Sequence, residues 1–198
     1  AQIKPSPTIA ISDKARELRA AGEDVISLSQ GEPDFETPEH IKVAAIRAMQ
    51  DGHTRYTAVD GIPELKQAIR DKFKLDNGLS YEHSQISVST GGKQVLYNAF
   101  MATLNAGDEV IIPAPYWVSY PDMVVLSEGR PVIAACLAQN DFKRTAEELE
   151  AAITPASRWL LLNSPSNPTG SVYIQHELEA LAKVLLRHLQ ILVMSDDI

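Results

Sequence analysis

Four short polar segments each follow an apolar run, and their residue types could bind an anionic or planar ligand. They are STGGK (89–93), PAPYW (113–117), NSPSNPTG (163–170) and SDD (195–197). In that order they offer glycine backbone amides, an aromatic ring, a side-chain amide and a carboxylate. Backbone N–H groups at a strand–helix junction can bind an anion, an aromatic ring can stack on a planar group, and a carboxylate beside a buried strand needs a partner.

Taken singly, each segment is also compatible with a purely structural role. Gly91 and Gly92 suit an ordinary turn, and no GxGxxG or GxxxxGK[ST] pattern marks a dinucleotide or P-loop site. Trp117 suits a core or lid position. Asn167, which lies between two prolines, could bond to its own backbone in a turn. Asp196 could face a cationic partner or cap a following helix.

The elements that must position these segments form a repeating pattern in the second part of the chain. Apolar strands alternate there with helices, and the predicted strands are ISVST (86–90), DEVIIP (108–113), RPVIAACL (130–137), WLLLN (159–163) and QILVMSD (190–196). Near-continuous apolar strands separated by helices indicate an α/β fold, with a mostly parallel sheet covered on both faces. Ligands bind at the carboxyl ends of such strands, which is where the polar segments fall.

The earlier part of the chain predicts more helix than strand. We expect a helix capped by Ser12 and stopped at Gly22, a short strand at 25–29, and a helix capped by Thr37 that runs to about Asp51. A third helix follows a loop and ends at Asn77-Gly78. In the later part, Thr145 and Glu148 form a T-x-x-E capping box.

Composition and charge argue against several classes of protein. The 198 residues are 44% hydrophobic and 22% charged, with a net charge of −8, so we expect no nucleic-acid partner. The apolar runs are too short to span a bilayer, and no signal-peptide core is expected at the start. The single cysteine, Cys136, has no partner for an internal disulfide, which favours a reducing cytoplasm.

The six segments QGEPDFETPEH, RYTAVDGIPELKQAI, STGGKQVLYNAF, PAPYWVSYPDMV, NSPSNPTGSVY and VMSDDI together resemble the fold-type I, class I aminotransferases. Within that family they are most similar to bacterial aspartate aminotransferases with a lysine in the GGKQ loop. The resemblance implies an N-terminal arm and part of a small domain at 1–36, and an incomplete large domain that binds pyridoxal phosphate at 37–198. It also implies a homodimer.

The resemblance assigns roles in binding pyridoxal 5′-phosphate. The Gly92–Lys93 backbone would meet the phosphate, Trp117 would stack on the ring, and Asn167 would bond to the ring oxygen, with a cis peptide before Pro168. Asp196 would pair with the ring nitrogen, and an anion there keeps that nitrogen protonated. Tyr56 would reach the phosphate of the neighbouring subunit.

Substrate contacts follow from the same resemblance. Gly31 would contact the α-carboxylate of the substrate, where Trp117 and Asn167 also lie. Lys93, with Ser6 and Thr8, would bind the distal carboxylate of aspartate or glutamate, although a solvent-exposed lysine at a helix start is the alternative. The family usually has SDE where this chain has SDD, so the acid at Asp197 is one methylene shorter and the resemblance assigns it no contacts.

The residue that performs the chemistry is not expected within these 198 residues. In this family the lysine that forms the Schiff base, and the arginine that binds the α-carboxylate, lie beyond the position of Ile198. The chain also stops just past a core strand, so we expect the N-terminal part of a longer protein. The resemblance implies that this protein transfers an amino group from an amino acid, expected to be aspartate, to 2-oxoglutarate.

Three other functions stay open from the sequence. One is another pyridoxal-phosphate enzyme of this fold, such as an aromatic, prephenate or alanine aminotransferase or a C–S lyase. A second is a non-catalytic aminotransferase-like domain that senses a ligand within a regulator. The third is a fragment without independent function.

Overall fold

A computed structural model describes residues 3, 5–31 and 33–197 of the chain. The described residues fall into two compact units, one of Pro5–Val95 and one that begins at Leu96. The domain boundary predicted between residues 36 and 37 concerns the organisation of a whole aminotransferase and stays a prediction.

The unit of Pro5–Val95 is built mainly from three helices, α1 (Pro7–Ala20), α2 (Glu39–Gln50) and α3 (Pro63–Asn77). Proline occupies the first turn of α1 and of α3, where its missing N–H is not needed for an intrahelical hydrogen bond. The predicted stop of α3 is confirmed, because Gly78 adopts a left-handed φ of 68° immediately after the helix.

Two predicted helix caps in this unit are wrong. The first helix begins at Pro7 with Ser6 as its N-cap, whereas Ser12 lies inside it. The hydroxyl of Ser12 donates to the carbonyl of Thr8 at 2.9 Å, so it uses a carbonyl of its own helix instead of starting one. The N-cap of α2 is Pro38, one residue after the predicted Thr37.

Two predicted strands in this unit are also wrong. Residues 25–29 and 86–90 have no strand conformation. A strand needs a neighbouring ladder, and the apolar side chains of the first segment are not packed, since Ile26 and Leu28 are 84% and 93% exposed. In the second segment, the N–H of Val88 donates to the carbonyl of Asp60 in the preceding loop.

The second unit contains a four-stranded sheet. Its strands are β1 (Glu109–Ala114), β2 (Arg130–Ala135), β3 (Ser157–Asn163) and β4 (Leu192–Asp196), which lie in the order β2-β1-β3-β4 and are all parallel. Its helices are α5 (Tyr120–Leu126), α6 (Ala146–Ala152) and α7 (Gln175–Leu185), together with the part of α4 (Gly92–Thr103) from Leu96 onward. The predicted fold class is thereby confirmed.

Each face of the sheet packs against its own pair of helices. The α4–α5 cluster contains Leu96, Phe100, Val110, Ile112, Tyr120, Met123, Val124, Trp159, Leu161 and Met194. The α6–α7 cluster contains Ile111, Ala134, Leu149, Leu160, Leu181, Val184 and Ile191. Successive strand residues point to opposite faces, so a strand buried on both sides must be apolar at nearly every position. This burial explains the continuous apolar runs of β1 and β3.

The predicted capping box at the start of α6 is confirmed. The N–H of Glu148 donates to the hydroxyl of Thr145 at 3.2 Å, and the N–H of Thr145 donates to the Glu148 carboxylate at 3.0 Å. Two backbone donors that lack helical partners are thus satisfied reciprocally.

Candidate functional site

The final residues of β3 and β4 lie side by side at the carboxyl edge of the sheet. Asn163 ends β3 and Asp196 ends β4, and the two are partners in the parallel register. β1 ends at the same edge, where Ala114 is followed by a cis peptide to Pro115. Three of the four polar segments predicted from the sequence therefore leave the sheet from one edge.

The carboxylate of Asp196 is held by a buried tyrosine. The hydroxyl of Tyr120 donates to Oδ2 of Asp196 at 2.5 Å, and the tyrosine is 1% exposed. Burial, followed by the neighbouring carboxylate, raises the pKa of Tyr120 far above its ordinary value. The hydroxyl therefore stays protonated and acts as a permanent donor to Asp196.

Trp117 is connected to the same tyrosine. Its ring meets the ring of Tyr120 edge to face, with centroids 5.3 Å apart and planes at 82°. The half-buried indole also packs against the α4–α5 cluster, and the N–H of Tyr120 donates to the carbonyl of Trp117 at 3.1 Å. The position of the indole is thus set by the hydrophobic core beneath it.

The loop that carries Asn167 folds back onto the end of β3. The N–H of Asn167 donates to Oδ1 of Asn163 at 2.6 Å, and the Asn167 side chain is exposed. The predicted cis peptide between Asn167 and Pro168 is present, and a second precedes Pro165. Farther along, the N–H of Gly170 donates to the carbonyl of Ser166 at 2.7 Å. The loop is therefore held to the end of β3 by its backbone, while Asn167 stays exposed.

Trp117, Asn167 and Asp196 are thus connected through two residues that sequence reasoning missed. Tyr120 joins Trp117 to Asp196, and Asn163 joins the Asn167 backbone to Asp196, whose carbonyl accepts from Asn163 Nδ2 at 2.6 Å. Both lie inside segments already singled out, PAPYWVSY and NSPSNPTG. For Asn163 a usable signal was a polar side chain on the last residue of an apolar strand, whereas no sequence signal marked Tyr120.

A hollow at this edge adjoins the linked residues. Tyr120 and Asn163 contribute to its lining, together with Tyr116, Leu161 and Tyr173. Its lining does not include Trp117, Asn167 or Asp196, so the hollow lies next to these three side chains and is not enclosed by them.

The other predicted site residues belong to the unit of Pro5–Val95. Gly92 begins α4 directly after Gly91, whose φ of 83° suits glycine. A Cβ placed on Gly92 meets nothing within 4 Å, so the space on that side of the residue is open. Lys93 and Gly31 are exposed, and Tyr56 is fully exposed. The binding roles of these four residues stay predictions.

The loop that carries Tyr56 is anchored at its far end. A buried Lys66, 6% exposed, pairs with Asp60. Adjacent Gly61 has a φ of 104° and lies so close to Val88 that an added Cβ would come within 2.8 Å of that side chain. Glycine is therefore required where the loop meets residue 88.

Neither a membrane-spanning helix nor a metal-binding cluster is found among the described residues. None of its helices has both the length and the apolar character needed to span a membrane. Residues 3, 5–31 and 33–197 also contain no group of three or more His, Cys, Asp or Glu side chains that could hold a metal ion.

Comparison with known proteins supports the resemblance inferred from the motifs. The sequence model described as aminotransferase class I and II matches residues 23–198. An aspartate/prephenate aminotransferase from Cereibacter sphaeroides is 64% identical over 197 residues, which cover 100% of this chain and 49% of that protein. A probable aspartate/prephenate aminotransferase from Rickettsia bellii is 60% identical over 196 residues, which cover 99% of this chain and 49% of that protein.

Solved structures agree in fold as well as in sequence. The aspartate aminotransferase from Rhizobium meliloti superimposes with a TM-score of 0.94 at 54% identity, covering 98% of this chain and 48% of that one. The Thermus thermophilus aspartate aminotransferase with maleate gives a TM-score of 0.95 at 48% identity, and the match covers 99% of this chain and 51% of that one. The chain thus spans about half the length of the relatives it matches. From its motifs, its fold and these similarities, the chain belongs to the class I and II aminotransferase family.

Proposed function

We propose that the whole protein transfers an amino group from aspartate to a 2-oxo acid, with pyridoxal 5′-phosphate as its cofactor. The observation that carries the proposal is the linked set of Trp117, Tyr120 and Asp196 at the carboxyl edge of the sheet. It supplies an aromatic face and a fixed carboxylate on adjacent elements. Family membership and the names of the relatives add support.

The residues of this chain fit the chemical groups of that cofactor. When bound, pyridoxal phosphate supplies an electron sink for the α-carbon of the amino acid. Asp196 would hold the proton on the ring nitrogen, and the hydroxyl of Tyr120 would keep that carboxylate in place. Trp117 would cover one face of the ring, and Asn167 would bond to the ring oxygen.

The residues proposed to bind the phosphate and to reach the second subunit belong to the unit of Pro5–Val95. The N–H groups at Gly92 and Lys93 begin a 12-residue helix, and such a helix start favours an anion. Tyr56 is 107% exposed relative to its reference state, which suits a residue that reaches toward a partner subunit. We therefore propose a homodimer, and a cytoplasmic location stays part of the prediction.

The names of the relatives support a substrate with two carboxylates. Those from Cereibacter sphaeroides and Rickettsia bellii are named for aspartate and prephenate, and the Thermus thermophilus structure contains maleate. Aspartate, prephenate and maleate are all dicarboxylates. We accordingly include prephenate, beside 2-oxoglutarate, among the 2-oxo acids that accept the amino group.

Titration of the whole protein with pyridoxal phosphate tests this function. We expect an absorption band in the near-ultraviolet to violet region that shifts when aspartate is added and returns when 2-oxoglutarate or prephenate follows. Absence of a bound band would overturn the cofactor assignment. A band that responds to neutral amino acids but not to aspartate would overturn the substrate assignment.

Replacing Lys93 with methionine should reduce kcat/KM for aspartate at least roughly 10-fold more than for phenylalanine. A cation that pairs with the distal carboxylate contributes to binding of acidic substrates alone, and a charged hydrogen bond contributes about 1.5–3 kcal/mol. Steady-state kinetics with both amino acids measure the difference. Lys42→Met is the matched control, because Lys42 also lies near a helix start and pairs with Glu39 on its own helix. Equal losses for both substrates would remove the argument for a distal-carboxylate contact.

Replacing Tyr120 with phenylalanine should lower kcat roughly 10-fold, because the Asp196 carboxylate loses a donor and a charged hydrogen bond contributes about 1.5–3 kcal/mol. Since the pKa of Tyr120 is raised, the hydroxyl is protonated from about pH 6 to about pH 9, and the loss should be constant over that range. Kinetics of both proteins at several pH values measure it. Tyr116→Phe, in the same segment and packed against the same cluster, should change little. A loss confined to alkaline pH would contradict the assignment.

The 198-residue chain alone is expected not to transaminate. Its nine lysines include none in the motif that carries the family's catalytic lysine, and we propose that this lysine lies beyond residue 198 in the whole protein. Purified chain and whole protein are each assayed with pyridoxal phosphate, aspartate and 2-oxoglutarate. Turnover by the chain at a rate near that of the whole protein would place the catalytic base among residues 1–198.

A further inference from the structure

Asn163 occupies the point where the hydrogen-bonded ladder between β3 and β4 ends. Asn163 and Asp196 are the last pair in the register of these two strands. Beyond them the chain enters the loop of Asn167 on one side and leaves the sheet on the other. Backbone groups at such a point need other partners, because the ladder no longer provides them.

The side chain of Asn163 provides both of the missing partners. Its Nδ2 donates to the carbonyl of Asp196 at 2.6 Å, and its Oδ1 accepts from the N–H of Asn167 at 2.6 Å. The orientation of the amide is unambiguous, because a backbone carbonyl can only accept and a backbone N–H can only donate. The half-buried side chain therefore connects two neighbouring backbones in one fixed sense.

The bond to Asp196 distinguishes this arrangement from an ordinary asparagine turn. The contact with Asn167 spans four residues, as a local turn would. The contact with Asp196 spans 33 residues and joins two different strands. A residue needed only to shape the loop would not require it.

We propose that Asn163 is a positioning residue that sets the separation between Asn167 and Asp196. This inference rests on the proposed function, in which those two residues hold the oxygen and the nitrogen of one planar ring. Tyr120 fixes the carboxylate of Asp196, whereas Asn163 fixes its backbone. The two restraints act on different atoms, so loss of either leaves the other in place.

Two substitutions distinguish the two hydrogen bonds of the Asn163 side chain. Asn163→Asp keeps an acceptor for the Asn167 N–H, and its ionised carboxylate cannot donate to the Asp196 carbonyl. Asn163→Leu keeps the branched shape and loses both bonds. Asn105→Ala is the control, since Asn105 bonds within an exposed turn to Asp108. All are made in the whole protein, and thermal melting establishes that each is folded.

Three measurements are compared: hydrogen exchange at the Asn167 amide, the absorption band of the bound cofactor, and kcat. In Asn163→Leu we expect faster exchange, an altered band and a fall in kcat of roughly 10-fold to 100-fold, the scale of loss when reacting groups are slightly misplaced. In Asn163→Asp we expect slow exchange to persist while the band and kcat change. The control should match the wild type in all three.

Unchanged exchange at Asn167 in Asn163→Leu would overturn the inference, and this result does not depend on bound cofactor. Wild-type kcat and band in a folded Asn163→Asp would also overturn it, and this variant still decides the question if Asn163→Leu fails to fold. Failure of the wild type to bind pyridoxal phosphate instead overturns the proposed function, while the exchange measurement still tests the link between the two backbones.

Discussion

Turnover by the whole protein should fall about 10²- to 10³-fold when Asp196 is replaced by asparagine, the scale seen when one preorganised electrostatic contact is removed. The substitution keeps the shape of the side chain and an oxygen that can accept from Tyr120. It removes the negative charge that would keep the ring nitrogen protonated. Cofactor affinity should fall much less, because the contacts proposed for Trp117, Asn167 and the start of α4 are unchanged.

Steady-state kcat and a pyridoxal phosphate titration measure these two effects separately. The matched control is Asp197→Asn, which alters the adjacent acid, whose carboxylate accepts from the Ser195 hydroxyl at 2.9 Å. We expect the control to retain most of its kcat. Equal losses of kcat in the two variants would mean that removing either negative charge at this end of the sheet has the same effect, and would contradict a specific role for Asp196. A fully active Asp196→Asn would also contradict the proposed role.

Stability should fall by about 3–5 kcal/mol when Phe100 is replaced by alanine, as for other buried phenylalanines. The ring is 0% exposed and meets Trp159 edge to face, with centroids 6.0 Å apart. It lies in the α4–α5 cluster, which also contains Tyr120 and Met194. The cavity left by the ring would therefore weaken the support beneath the candidate site as well as the fold.

Denaturant titration of the whole protein measures the change in the free energy of unfolding. Met101→Ala is the control, because it shortens the next side chain of α4, which is 53% exposed, and it should change stability by less than about 0.5 kcal/mol. A similar loss in both variants would show that helix α4, not the buried ring, is the source of the effect.

The sequence was most informative where burial dictates residue type. The strands β1 and β3 could be predicted because both of their faces are covered, which forces apolar residues at consecutive positions. The segment 25–29 (VISLS) has a mixed pattern of apolar residues and serines that also predicts a strand, yet its Ile26 and Leu28 are exposed. Alternation within five residues carries no information on whether a neighbouring strand is present, and only tertiary structure supplies that.

In the candidate site, too, some residues could be predicted from the sequence and others could not. Trp117, Asn167 and Asp196 could be located from motifs, since Trp117 and Asn167 follow strands and Asp196 ends one, at the edge where ligands bind. Tyr120 and Asn163 could not be assigned, because their bonds to Asp196 span 76 and 33 residues. Sequence spacing predicts contacts along one helix or strand, whereas these two bonds depend on how separate elements pack.

The order of the strands, with β1 beside β3 at the centre of the sheet, has a consequence for how binding preference can vary. The segment after β1 leads to α5 on one face, and the segment after β3 leads to α7 on the opposite face. The connections that follow these two neighbouring strands thus run to opposite faces of the sheet. This divergence leaves a crevice between them at the edge of the sheet, outside the hydrophobic core. A ligand bound in that crevice would therefore meet residues from both connections, so its preference can be altered from either side of the sheet.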